Sequence, residues 1–293
     1  MFIWTCDKPP LFPNASLKKI PVSELEKIIG DGFEYSERIH CDNKLKLPFI
    51  KTGCSDDLIK KIKERISNPL IDKLAICEMD KSVGRGVFAR EKIYFGEIVA
   101  LYAGELKLKS EITDLAYGCY LDGDYAVSAE KIGGIARFFQ HLPHHPDFFA
   151  EHAVTQFKEK GIECMKFFFE LEGVFENFSE EERELCSSEL FRMMNNNEQN
   201  FKAMIKTEEP NSIFEFLNKD LEPHWSDIAT SNLGMRTIVL EDGGVSHIIF
   251  YAKRDIEIGE QIGFTYGLGY WKNLGITPRL FSVNGQNRFD LIA

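Results

Sequence analysis

The pattern of apolar residues changes twice along the chain, and this change constrains the fold more than any other feature. Residues 74–141 and 228–272 contain short β-strand patterns separated by glycine turns. Residues 142–227, between them, have the apolar spacing of amphipathic helices. Residues 1–73 also have helical spacing, in short stretches joined by connecting segments. No regular alternation of strands and helices is present, which argues against a doubly wound parallel sheet. The pattern predicts an α+β protein in which one β domain is interrupted by a helical insertion.

Local signals mark the ends of several predicted elements. Ser55 is placed to cap one helix, and Ser179, followed three residues later by a glutamate, forms a capping box that opens another. The run Asn195–Asn197 is expected to end that second helix. Near the C-terminal end, the turn Asp242-Gly243-Gly244 between two strand patterns predicts a β-hairpin.

Charge and hydropathy limit the partners that the chain can have. The sequence has 46 acidic and 35 basic residues, a net charge of -11. This excess argues against duplex DNA as a direct partner and favours a Lys-rich or Arg-rich polypeptide. No apolar run is long enough to span a bilayer, and the N-terminal residues lack a signal-peptide pattern, so no membrane association is expected. Composition fits a cytoplasmic protein, a nuclear protein and a bacterial protein delivered into a host cell alike.

Cysteine and histidine usage predicts neither a disulfide framework nor a metal site. The seven cysteines are scattered, without any C-x-x-C pair, which is typical of reduced thiols. His141, His144 and His145 form a small cluster, but Pro143 and the loop setting make a regular set of ligands improbable.

Four short motifs carry the functional signal. They are listed in chain order: G-R-G-V-F-A at 84–89, Y-A-G-E at 102–105, G-G-I-A-R-F-F-Q-H at 133–141, and A-K-R-D-I-x-x-G-E-Q-I-x-F-T-Y-G-x-x-Y-W at 252–271. Each motif alone fits a tight turn or a packed strand end. Their order and spacing along one chain constitute the signal.

Taken together, the motifs resemble the SET-domain protein-lysine N-methyltransferases, and Ser231-Asn232-Leu233 fits the family's P-N position. The resemblance covers residues 74–141 and 228–272. It implies small curved β-sheets with a pseudoknot, in which the C-terminal strand segment passes under a loop. It also implies S-adenosylmethionine as the cofactor on one face and a substrate lysine entering from the other face through a narrow channel.

The resemblance assigns roles to individual residues. Tyr266 is the expected catalytic residue, Tyr102 is expected to act with it and to line the lysine channel, and Phe264 is expected to contact the substrate. The expected cofactor-binding residues are Val83, Gly84, Arg85, Gly86, Tyr117, Arg137, Phe138, Gln140 and His141, with Tyr270 and Trp271 stacking on the adenine.

The sequence departs from the family pattern at three places. Gln140 stands where the family usually has asparagine, and the insertion replaces a short link. The C-terminal flank, residues 273–293, has no cysteine, whereas many family members have a cysteine-rich zinc module there. The substitution at position 140 keeps open an alternative, a catalytically silent SET fold that serves as a protein-interaction module with the insertion as its docking surface.

The leading hypothesis is methyl transfer to the side-chain amine of lysine in a basic protein, such as a histone tail or a ribosomal protein. Because Phe264 lacks a hydroxyl, the pocket should accept an already methylated amine, so more than one methyl group is expected to be added. Methyl transfer to a non-protein amine fits the same motifs.

Overall fold

The computed structural model describes residues 1–6, 17–30, 32–41, 54–79, 84–121, 124–144, 146–206, 229–240, 246–266, 270–271, 280–281 and 288–289. The helices are α1 (Val22–Ile29), α2 (Asp56–Ser67), α3 (Pro146–Lys160), α4 (Ile162–Leu171), α5 (Glu180–Asn196) and α6 (Glu198–Ile205). Short 3-10 helices span Leu70–Lys73, Lys109–Glu111, Leu115–Tyr117 and Ile135–Phe138. The strands are β1 (Phe2–Cys6), β2 (Lys18–Pro21), β3 (Glu34–Tyr35), β4 (Ile39–His40), β5 (Leu74–Glu78), β6 (Arg85–Ala89), β7 (Ile98–Leu101), β8 (Gly104–Leu108), β9 (Gly118–Tyr120), β10 (Tyr125–Ser128), β11 (Ile132–Gly133), β12 (Gln140–His141), β13 (Leu233–Val239), β14 (Ser246–Ala252), β15 (Gln261–Phe264), β16 (Leu280–Phe281) and β17 (Arg288–Phe289).

The strands form several small sheets. The largest has six strands in the order β12-β15-β6-β5-β1-β2, a second has the order β4-β8-β10-β9, and a third has the order β13-β14-β7. Two further two-stranded pairs, β11-β3 and β16-β17, complete the described sheets. Strands β13 and β14 are the arms of the predicted hairpin, although its turn lies outside the described residues. This combination of helices and small mixed sheets confirms the predicted α+β class.

Residues 1–73 contribute more strand than their sequence suggested. Strands β1 and β2 extend the largest sheet, with β1 parallel to β5. Strands β3 and β4 pair in parallel with β11 and β8. These four strands are two to five residues long, too short to show an alternating pattern in the sequence.

The predicted helix ends in the insertion and before it are confirmed. The Ser55 hydroxyl accepts a hydrogen bond from the Leu58 N–H, as a helix cap does. The Ser179 hydroxyl accepts from the Glu182 N–H while the Glu182 carboxylate accepts from the Ser179 N–H, which completes the capping box. Helix α5 ends at Asn196, within the asparagine run.

The helical insertion shares an aromatic core with the β-sheets. Phe95, which follows β6, stacks on Phe168 of α4 at 4.9 Å between ring centroids and meets Phe157 of α3 edge-on at 5.8 Å. A buried polar contact joins the same two parts, because the Tyr251 hydroxyl on β14 donates to the Glu172 carboxylate at 2.7 Å. The described helices of the insertion are therefore packed onto the sheets.

All seven cysteines are free thiols, and Cys6 and Cys77 are neighbours on β1 and β5. None of the helices that the structure describes has the length and apolar character needed to cross a bilayer. Among the same described residues, no group of three His, Cys, Asp or Glu side chains is placed to hold a metal ion.

The shared aromatic core gives a test of the fold. Replacing Phe157 with alanine should lower the free energy of unfolding by about 3–5 kcal/mol, because the ring is fully buried among other aromatic rings. Urea unfolding followed by circular dichroism measures the change. The control is Leu185→Ala, since Leu185 is 73% exposed and its loss should change stability by no more than about 0.5 kcal/mol. Equal effects of the two substitutions would contradict the shared core.

Candidate active site

A short parallel contact between β12 and β15 brings two distant motifs together. Gln140 lies opposite Gly263, and His141 lies opposite Phe264. A Cβ atom at position 263 would overlap the carbonyl oxygen of Gln140, so this approach requires glycine. The contact places the 133–141 motif beside the Phe264–Tyr266 segment.

Asn232 holds this contact from the other side of β15. Its side-chain amide donates to the Gln261 carbonyl at 2.8 Å and accepts from the Gly263 N–H at 3.1 Å. Its backbone N–H also donates to the Gly263 carbonyl at 3.2 Å. Asn232 is fully buried, and these bonds satisfy its amide.

Tyr266 is fixed to the 133–141 motif at two points. Its hydroxyl donates to the Phe139 carbonyl at 2.5 Å, and its backbone N–H donates to Nδ1 of His141 at 3.0 Å. Burial raises the pKa of the Tyr266 phenol far above its ordinary value of 10.0. The hydroxyl is therefore neutral, and because its proton is directed at a carbonyl, its oxygen can act as an acceptor.

Tyr102, which follows β7, also directs its hydroxyl at a backbone carbonyl. Its hydroxyl donates to the Tyr117 carbonyl at 2.8 Å, and burial raises the pKa of the phenol well above 10.0. The ring of Phe250 connects the two tyrosines, since it meets Tyr102 at 6.3 Å and Phe264 at 4.8 Å. Phe264 in turn meets Tyr266 at 4.9 Å.

Aromatic rings surround Tyr266. The Trp271 ring lies nearly parallel to it at 5.8 Å, and the Tyr270 ring meets it edge-on at 4.9 Å. We call Phe250, Phe264, Tyr266, Tyr270 and Trp271 the aromatic cluster. Such a surface is apolar, with electron-rich ring faces, and it suits both a planar heterocycle and an alkylamine chain.

Two buried N–H groups, one on Trp271 of the aromatic cluster and one on the neighbouring His141, are without a hydrogen-bond acceptor among the described residues. Nδ1 of His141 accepts a hydrogen bond, so the proton of the neutral ring is assigned to Nε2. Among the described residues this Nε2 has no partner, and neither does the indole Nε1 of Trp271, whose ring lies 4.9 Å from that of His141. Donors of this kind fit a heteroaromatic ligand with acceptor nitrogens, such as the adenine of S-adenosylmethionine.

Gln140 connects this region to the first motif. Its side-chain amide donates to the Arg85 carbonyl at 2.6 Å, which joins the third motif to the first. Gly84 has a positive φ of 81°, and a Cβ at Gly86 would lie 2.5 Å from the sulfur of Met79. The positive φ therefore favours glycine at position 84, whereas a side chain at position 86 would require Met79 to move. Val83 lies outside the described residues.

Arg137 and Phe138 are held within the fold. The Arg137 guanidinium donates to the carbonyls of Ala129 and Glu130 and lies 3.9 Å from the centre of the Tyr117 ring. Phe138 is buried in the core. The contacts seen for Arg137, Phe138 and Tyr117 hold the motif in shape, and their expected contact with a cofactor stays a prediction.

Cys119 is a site residue that the sequence did not reveal. It lies on β9, its Sγ is 3.7 Å from the sulfur of Met235, and its charge would be felt by both Tyr102 and Tyr266. Burial raises the pKa of its thiol to about 12, so the group is neutral. No sequence motif includes it, and only the pairing of β9 with β10 places it there.

Comparison with known proteins identifies the class to which this site belongs. The SET domain family model matches residues 84–267, which is more than half of the chain. The protein belongs to the SET domain family, and the resemblance that the four motifs carry is confirmed.

The fold is also similar to solved structures, at low identity. ATXR5 in complex with mono-methylated histone H3.1 is 13% identical with a TM-score of 0.43, over 84% of this chain and 85% of that chain. KRYPTONITE in complex with mCHH DNA, a histone H3 peptide and SAH is 12% identical with a TM-score of 0.43, over 95% of this chain and 51% of that chain. Arabidopsis thaliana SUVH6 in complex with SAM is 16% identical with a TM-score of 0.32, over 66% of this chain and 26% of that chain.

No curated protein matches the chain. The absence of a direct nucleic-acid partner, expected from the net charge, stays a prediction.

The buried environment of His141 predicts that its imidazole is neutral in the folded protein. Burial lowers the pKa of its imidazole from 6.5 to about 3, so the fold disfavours the charged ring, and the unfolded chain takes up the proton first as pH falls below 6.5. The folded protein should therefore show no His141 titration by NMR between pH 8 and pH 5. The same ring in urea-unfolded protein should titrate near pH 6.5. His141→Gln assigns the signal, and a midpoint above pH 5 in the folded state would contradict the buried neutral ring.

Proposed function

We propose that the protein transfers methyl groups from S-adenosylmethionine to the side-chain amine of lysine in a basic protein. The observation that carries the proposal is the convergence of three motifs. Gln140 bonds to Arg85 in the first motif, and Tyr266 in the fourth motif bonds to Phe139 and His141 in the third. Membership of the SET domain family supports the reaction class.

The residues present fit the cofactor. The Gly84–Gly86 turn, Gln140, His141 and Trp271 would hold it, the last two through N–H groups that have no partner within the described part of the chain. When bound, S-adenosylmethionine supplies an electrophilic methyl group on a sulfonium. The contribution of the chain is to align this group with an amine, and alignment of reactants is worth about 7–11 kcal/mol in favourable cases.

The amine must be neutral to attack. Deprotonating a lysine with a pKa of about 10.4 at pH 7 requires about 4.6 kcal/mol in water. An apolar aromatic pocket lowers that pKa, because burial disfavours the ammonium form. The raised pKa values of Tyr266 and Tyr102 keep both phenols uncharged, so neither acts as a phenolate base near neutral pH.

The two tyrosine oxygens instead orient the amine. Each hydroxyl proton is directed at a backbone carbonyl, at Phe139 for Tyr266 and at Tyr117 for Tyr102. The oxygens then accept hydrogen bonds from the N–H groups of the amine and turn its lone pair toward the methyl group. Tyr266 has the catalytic role, while Tyr102 and Phe264 form the lysine pocket.

The acidic surface favours a basic substrate. A net charge of -11 attracts Lys-rich segments over distances of about a Debye length. A histone tail and a ribosomal protein both meet this requirement, and charge alone does not distinguish them.

Tyr266→Phe tests the catalytic role. The amine nitrogen gains positive charge as it attacks the methyl group, so losing a hydrogen bond to it in the transition state, worth about 1.5–3 kcal/mol, should reduce the rate of methyl transfer by about 10- to 100-fold. The assay incubates the protein with labelled S-adenosylmethionine and a panel of histones and ribosomal proteins, and mass spectrometry locates the label on lysine. The control is Tyr120→Phe, because Tyr120 is 52% exposed. Equal activity of wild type and Tyr266→Phe would refute the assignment, and label on free amines alone would indicate a non-protein substrate.

Phe264→Tyr tests the number of methyl groups. The wild-type pocket should give products beyond monomethyl-lysine, whereas the added hydroxyl should crowd the methylated amine and shift the product toward monomethyl-lysine. Mass spectrometry of the product at long reaction times measures the ratio. Wild-type product that never passes the monomethyl stage would show that Phe264 does not set this limit.

One observation favours the alternative, a silent interaction module. The Gln140 amide donates a hydrogen bond to the chain's own Arg85 carbonyl, so this N–H is not available to a cofactor that the side chain was expected to bind. Calorimetry separates the two functions, since a silent module would show no heat of binding with S-adenosylmethionine and a methyltransferase would show saturable binding.

A further inference from the structure

A segment before the matched family region connects two of the motifs. Strand β3 pairs with β11, which opens the 133–141 motif, and the Ser36 N–H donates to the Gly133 carbonyl at 3.1 Å. Strand β4 pairs with β8, which begins in the Y-A-G-E motif, and the Gly104 N–H donates to the Arg38 carbonyl at 3.3 Å. Glu37 lies between these two pairings.

The Glu37 carboxyl binds the start of the Ile135–Phe138 3-10 helix. Its Oε1 accepts from the Ile135 N–H at 3.0 Å and from the Tyr35 hydroxyl. A Cβ at position 134 would lie 2.7 Å from Glu37 Oε2, while the φ of Gly134 is an ordinary −97°. The same Cβ would lie 2.9 Å from the Ser36 carbonyl oxygen, so close approach of the Ser36–Glu37 segment, rather than the conformation of Gly134 itself, explains the second glycine of the G-G motif.

The 3-10 helix leads directly into the site. Phe139, which follows it, accepts the Tyr266 hydroxyl through its carbonyl, and the next two residues bond to Arg85 and Tyr266. Anchoring the first N–H of this turn fixes the direction in which these three residues leave it.

The surroundings of Glu37 are mostly apolar. Burial raises the pKa of its carboxyl to about 7, although the hydrogen bonds from Tyr35 and Ile135 act in the opposite direction. Across a small cavity, α2 contributes the Arg65 side chain, while the 3-10 helix at Leu70–Lys73 and β7 contribute apolar side chains such as Ile71 and Val99. Among the described residues, the titratable or charged groups that face Glu37 are Tyr35, which bonds to it, and Arg65, which lines the cavity.

We propose that Glu37 is a positioning residue of the methyltransferase site, whose carboxyl holds the Gly134–Phe138 turn in the geometry that binds the cofactor. This inference rests on the proposed function, because it takes the 137–141 segment as part of the cofactor site. The ionised carboxylate accepts stronger hydrogen bonds than the acid, so it holds the turn more firmly. Cofactor affinity should therefore rise with pH through neutrality.

Calorimetry with S-adenosylhomocysteine tests the proposal on the full chain. Glu37→Ala should raise the Kd at pH 8 by about tenfold, the equivalent of one lost charge-assisted hydrogen bond, while kcat at saturating cofactor changes little. Wild-type affinity should increase from pH 6 to pH 8. Glu37→Gln keeps an acceptor without a charge, so its affinity should stay flat over that range. The matched control is Glu34→Gln, an exposed carboxylate on the same segment.

The outcomes separate the two proposals. Wild type that binds no cofactor refutes the proposed function, and this inference with it. Wild type that binds, together with a folded Glu37→Ala that binds equally well, overturns the role of Glu37 alone. If Glu37→Ala does not fold, the pH profile of Glu37→Gln decides, since a purely structural role would leave the wild-type slope in place.

Discussion

The parallel contact between β12 and β15 is the interaction on which the site depends. It joins only two pairs of residues, and so short a pairing would not persist alone. Asn232 stabilises it with three hydrogen bonds to β15, and the missing side chain of Gly263 permits the close approach. Leaving a buried partner of Asn232 unsatisfied would cost about 1–3 kcal/mol, comparable with a large part of the stability of a domain.

A hydrogen bond close to the β12–β15 contact explains how the chain accommodates a large insertion. The Ser231 N–H, just after the insertion, donates to the carbonyl of Pro143, near its start, at 2.8 Å. Because the chain leaves and returns at adjacent points, the inserted helices do not have to disturb β12 or β15. Their attachment to the sheets includes the Phe95 core and the Tyr251–Glu172 bond.

Sequence reasoning worked where a signal is local or where ordered motifs resemble a family. The caps at Ser55 and Ser179 depend on residues three positions apart, and the motifs define the family through their order. It failed for strands of two to five residues, because parallel pairing between distant segments leaves no periodic pattern. Glu37 was missed for the same reason, since it meets Ile135 only through pairing with a distant strand. Cys119 was missed because it lies in none of the four motifs, and only the folded arrangement of β9 brings it near Met235.

The titratable groups of the site are kept neutral by burial. The phenols of Tyr266 and Tyr102 and the imidazole of His141 are all held in their neutral forms by burial, as their shifted pKa values show. In the reaction proposed above, such neutral groups would not compete with a lysine amine for protons, and their apolar surroundings would disfavour its ammonium form. Glu37, the proposed positioning residue, accepts a hydrogen bond from the Ile135 N–H, so its carboxyl acts on the backbone of the adjoining turn.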